Sequence, residues 1–88
     1  MRGLLTFMIP ERKELVSAVD YVLSTHGRME LSQIYALVGH HLRLSSRDLA
    51  LTDNQGQSLF KHEVRWALQT LKYEGRVKNV SKGVWTRI

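Results

Sequence analysis

The chain has 88 residues, enough to bury roughly 60–65% of its unfolded surface as one domain over residues 1–88, with little volume left for an enclosed active site. Its 43% hydrophobic and 24% charged residues argue against disorder. The lack of cysteine excludes disulfides and thiolate metal sites, favouring a reducing compartment such as the cytoplasm. The net charge of +5 invites a polyanionic partner.

The opening apolar run "GLLTFMI" has no small-residue cleavage site and is cut off by Pro10. It is not expected to be a signal peptide, and it falls short of the ~20 apolar residues of a membrane span. Pro10 suits the first turn of a helix, and Glu11 and Glu14 complement the positive end of its dipole. Leu15, Ala18, Val19, Val22 and Leu23 recur at helical spacing, and His26-Gly27 closes the element, so a helix is predicted over residues 10–26. "RMEL" is long enough only for a stub strand. Ser32 is the predicted N-cap of a second helix carrying Ile34, Leu37, Val38 and Leu42, with Tyr35 beside them and Gly39 inside it, ending near His41.

"RLSSRDLALTDNQGQ" is irregular. Ser45 or Ser46 caps one turn through residues 49–51, and "TDNQGQ" is turn chemistry. Ser58 caps the third and strongest helix, which stops at Gly75. At 100° per residue, Phe60, Val64, Ala67, Leu68 and Leu71 share an arc of about 100°. Lys61, Arg65 and Lys72 flank it, with His62 and Gln69 just beyond. Two β-rich runs follow, joined by the Lys82-Gly83 turn. Helix, stub strand, helix, helix and hairpin is the element order of a winged helix. The predicted class is thus α+β, a three-helix helix-turn-helix core with a C-terminal β-hairpin wing and a stub first strand.

Charge follows this architecture. Over residues 1–57, six cations (Arg2, Arg12, Lys13, Arg28, Arg43, Arg47) balance six anions (Glu11, Glu14, Asp20, Glu30, Asp48, Asp53). From Ser58 onward, seven (Lys61, Arg65, Lys72, Arg76, Lys78, Lys82, Arg87) face only Glu63 and Glu74. A Lys/Arg stripe on one helix is ordinarily a solvated face; joined to a basic hairpin on an otherwise neutral chain, it suits double-stranded DNA. In helix-turn-helix proteins, residues near the start of the second helix of the pair reach base edges. Ser58, Lys61, His62 and Arg65 hold that position. Arg65 suits guanine, Gln69 adenine and Ser58 a phosphate, while Lys78, Ser81 and Lys82 on the hairpin are expected against the flanking backbone or minor groove.

Trp66 and Tyr73 fall far from the apolar arc. A wall contacting a base or methyl group is one reading of them; the ordinary one is a packing surface over residues 43–57, whose Leu44, Leu49 and Leu51 need cover. Trp85 likewise covers the sheet or stacks on a nucleotide. No catalytic constellation, metal site or cofactor motif is visible. His40 and His41 are adjacent and diverge on a helix, and "ERK" at residues 11–13 lacks the strand aspartate of a nuclease motif. The chain is not expected to be an enzyme by itself.

"VRWALQTLKYEGRVKNVSKGVW", residues 64–85, resembles the N-terminal domain of Mrr-type restriction proteins. In that family a helix bearing an arginine and then "W-A-x-x-x-L-K-x-x-G" leads into a hairpin whose second strand begins "G-V-W". Arg65, Trp66, Ala67, Leu71, Lys72, Gly75, Gly83, Val84 and Trp85 carry the match, and the likeness covers most of the chain. Arg76 stands where the family commonly has an apolar residue. The resemblance implies a DNA-binding winged helix that recognises the target, often methylated DNA, with Trp66 or Trp85 as the methyl contact. A separate nuclease domain or subunit would cut. Two other readings stay open: a small transcription regulator dimerising through "LLTFMI", and a protein-interaction winged helix using Trp66, Tyr73 and Trp85 as an apolar patch.

Overall fold

Residues 11–88 are described by the computed structural model. Pro10 and the "LLTFMI" segment, with the helix start and dimer contact expected there, lie outside them. Helix α1 spans Arg12–His26, and Glu14 Oε1 accepts the Glu11 amide at 3.3 Å, satisfying one donor at its start. The expected stripe is its buried face: Leu15, Ala18, Val19, Val22 and Leu23. Gly27 ends it at φ 78°, a conformation that costs a side chain dearly and glycine little.

The stub strand β1 is Met29–Glu30, and it runs directly into α2, Leu31–His41. This corrects the Ser32 cap. The extended residue before α2 is Glu30, whose amide donates to Gln33 Oε1 at 3.0 Å, and the helix begins one residue ahead of Ser32. The cause is tertiary: Leu31 N–H donates to Gly83 O in the hairpin turn at 2.8 Å, which fixes where the strand ends. Among the described residues α2 and the long last helix are separated by one helical turn, α3, Ser46–Leu49, with Ser45 and Asp48 as reciprocal caps. Ser45 is therefore the cap, and the turn closes before Ala50.

Helix α4, the third helix of the sequence reading, spans Leu59–Tyr73 and is capped by Ser58 Oγ, which accepts the Lys61 amide at 3.1 Å. Its buried residues are Phe60, Val64, Ala67, Leu68 and Leu71, the predicted arc. Strands β2 (Val77–Ser81) and β3 (Val84–Arg87) form the hairpin, and β1 adds to its other edge in the order β1-β3-β2. The register sets Met29 opposite Trp85 and Asn79 opposite Trp85, with a bulge before Ser81 opposite Val84. A two-stranded hairpin is marginal in water; the third strand and the helices behind it supply what it lacks. Leu15, Val19 and Leu23 meet Ile34, Val38, Val64, Leu68, Leu71, Val77 and Trp85 in one continuous core. Among the described residues no helix is long and apolar enough to cross a membrane.

Candidate nucleic-acid interface

Ser58 is placed by the loop before it. Thr52 and Ser58 form an antiparallel bridge, and Asp53 N–H donates to Gln57 O at 2.9 Å. The Asp53 carboxylate accepts the amides of Gln57 at 3.0 Å and Gln55 at 2.8 Å. The Gln57 amide, then that of Gln55, holds this carboxyl below its ordinary value of 3.8, and nearby His62 adds to the effect. A lowered folded-state value stabilises above pH 3.8 and the benefit disappears as pH falls through the lowered value. Asp53→Ala is accordingly expected to lower the melting temperature at about pH 7 and to lower it less at a pH below 3.8. An equal loss at both would show that the charge plays no part.

From Ser58 the α4 stripe proceeds outward. Lys61, Arg65, Gln69 and Lys72 recur at four, four and three residues, so they share a strip about 80° wide. All four are exposed, as are His62, Lys78, Ser81 and Lys82, while Ser58 is half-buried with its oxygen engaged by the cap. The hairpin meets the stripe along one edge. Arg65, Gln69, Asn79 and Lys82 rim a cleft of about 270 Å³ floored by Leu31, Leu68, Gly83 and Trp85. Asn79 is held there by its Nδ2, which donates to Val84 O at 3.2 Å across the bulge.

The expected residues do not all converge. Arg65, Gln69 and Lys82 share the cleft, with Lys61 one turn behind. Lys78 does not join them: it pairs with Thr86, and alternation along the strand turns it from the face that carries Asn79 and Trp85. Nor is every cation of the last third on this side. Arg76 Nη1 reaches Asp20 Oδ2 at 3.1 Å, and Arg87 Nε pairs with Asp20 Oδ1, both against α1. Arg76, the residue that departs from the family pattern, also stands 3.6 Å from Glu74. Glu63 is taken by Arg12 at 2.9 Å. What remains is Lys61, Arg65, Lys72, Lys78 and Lys82, none in an ion pair among the described residues.

The tryptophans also differ from expectation. Trp66 does not cover residues 43–57; the Arg12 guanidinium lies 4.3 Å over its ring, because the first turn of α1 reaches around that flank of α4. Cover for residues 43–57 comes from α2 and Phe60. A Cβ on Gly39 would stand 3.4 Å from Leu49 Cδ2, so this glycine lets α3 approach, and Leu44 packs against the core. Tyr73 is 94% exposed among the described residues. Trp85 is a core residue at 6%, in keeping with a packing role, and Trp66 at 37% is the more open of the two. The sequence reading missed Tyr35 of α2, whose Oη accepts a hydrogen bond from Arg65 Nη1 at 3.0 Å. Its signal was an aromatic hydroxyl at the edge of the α2 apolar stripe.

Three helices of a helix-turn-helix core followed by a hairpin wing define a winged helix. The family model described as the Mrr N-terminal domain matches residues 13–86, and the chain belongs to that family, which ties it to restriction systems. No curated protein and no solved structure matches it.

Proposed function

We propose that the chain is the duplex-DNA recognition module of a restriction-like system. On this reading α4 enters the major groove and Lys82 touches the adjoining backbone. The observation that carries it is the contrast between two sides of the molecule. Arg12, Arg76 and Arg87 are held by carboxylates along α1 and its flank, while Lys61, Arg65 and Lys82 keep their full charge around the cleft between α4 and the wing. Surface cations left without carboxylates sustain the field that attracts a polyanion. In helix-turn-helix docking the early residues of the second helix face base edges, where Arg65 suits guanine; Gln69, one turn further along the same stripe, suits adenine by its side-chain chemistry.

Binding to a duplex is expected to weaken with salt at a log–log slope of about −4, from about four or five phosphate contacts. A slope near zero, or no binding at low salt, removes the proposal. Running the same titration on methylated and plain duplexes tests the finer part, recognition of a modified base; equal affinities would reject it. Of the two tryptophans named for a methyl contact, Trp66 is the more exposed but carries Arg12 over its ring outside the cleft, and Trp85 meets the cleft only as part of its floor. Cleavage belongs on this reading to a separate nuclease domain or subunit, and metal-dependent cutting by this chain would contradict that. The burial of Trp85 also breaks up the three-aromatic patch on which a protein-partner reading rests.

A further inference from the structure

We infer that Tyr35 is a positioning residue for the two leading cations of α4, an inference that rests on the duplex-binding reading above. Tyr35 lies on α2, half-buried at the edge of the core, with its ring 6.4 Å from that of Phe60 and tilted by 59°. Its hydroxyl oxygen accepts from Arg65 Nη1 at 3.0 Å, and Lys61 Nζ stands 5.3 Å from the centroid of the same ring. Lys61 and Arg65 are four residues apart on one helical face, where like charges repel. A single neutral side chain on the neighbouring helix engages both, one through oxygen and one through the π-face.

Neutrality is the point. The carboxylates that hold Arg12, Arg76 and Arg87 cancel the charge they position. A phenol orders the guanidinium and leaves its charge intact, and among the described residues it engages one of the five N–H donors. An arginine already ordered loses less conformational freedom on reaching a ligand. Tyr35 thereby prepares Arg65 for the groove without lowering the attraction of the stripe for phosphate.

The test compares the wild-type chain with Tyr35→Phe, Arg65→Ala and the double variant on one DNA duplex at fixed salt. Phenylalanine keeps the ring, its packing and the Lys61 contact while removing the acceptor, so the melting temperature should hold. Affinity is expected to drop about three- to tenfold, the scale of ordering one long side chain. The salt slope should not change, since no charge is lost. In the Arg65→Ala background the same substitution should alter affinity by less than about 1.5-fold, the mark of action through Arg65. A Tyr35→Phe variant that binds as the wild type does, or that loses the same factor with and without Arg65, overturns the inference alone. A wild-type chain that binds no duplex overturns it together with the proposed function.

Discussion

Changing Lys61, Arg65 and Lys82 together to glutamate is expected to lower duplex affinity by at least ~100-fold at fixed salt while the protein stays folded. The magnitude follows from the site. Each base-edge or phosphate contact is worth about 1–3 kcal/mol on removal, and each reversal puts a carboxylate where a phosphate would come. The fold should tolerate the change because all three side chains are exposed and none holds an ion pair among the described residues. Replacing Arg65 also removes its hydrogen bond to Tyr35, 3.0 Å long and at the surface, where the cost to stability is small. Circular dichroism and thermal melting would check the fold beside an equilibrium binding curve. Arg76→Gln is the matched control: it faces Asp20, so it should change affinity less than about twofold. Retained duplex binding by the folded triple variant would point to a protein partner for this face instead.

Trp85→Ala should cost about 3–5 kcal/mol of stability, read from denaturant midpoints. The indole is only 6% exposed and sits on β3, opposite Met29 of β1 and Asn79 of β2, so it joins all three strands to the core. Domains have about 5–15 kcal/mol in total, and the variant is therefore expected to be partly unfolded at about 37 °C. Trp85→Phe, which refills most of the volume, should recover more than half of the loss. If Trp85→Ala melted like the wild type and instead altered discrimination between methylated and plain duplexes, the burial account of this residue would be wrong.

What could be read from the sequence was local. The apolar arc of α4 follows from a 3.6-residue period and needs no neighbour to define it, so Phe60, Val64, Ala67, Leu68 and Leu71 emerged together. The Lys82-Gly83 turn and the Ser58 cap are likewise written within a few neighbouring residues. Contacts across long separations were not legible. Asp20 looks like an ordinary solvated residue of α1 until Arg76 and Arg87 arrive from 56 and 67 positions away, taking two cations off the basic side. A helical wheel gave Trp66 its angle but not the helix that wraps that flank. Ser32 lost its place as cap because the hairpin reaches Leu31. Tyr35 acquires its role only when α2 and α4 are side by side.

The hydrogen bond from the Leu31 amide to the Gly83 carbonyl has a mechanical consequence. It clamps the root of α2 to the tip of the wing at the hairpin's bend, so the wing is braced rather than hinged. Because α2 also meets α4 through Tyr35 with Phe60 and Arg65, the bond ties the wing indirectly to the basic helix and constrains the gap between them. On the proposed reading the bending work falls on the nucleic acid, and sequences whose grooves yield readily to that gap are favoured even where no side chain touches a base.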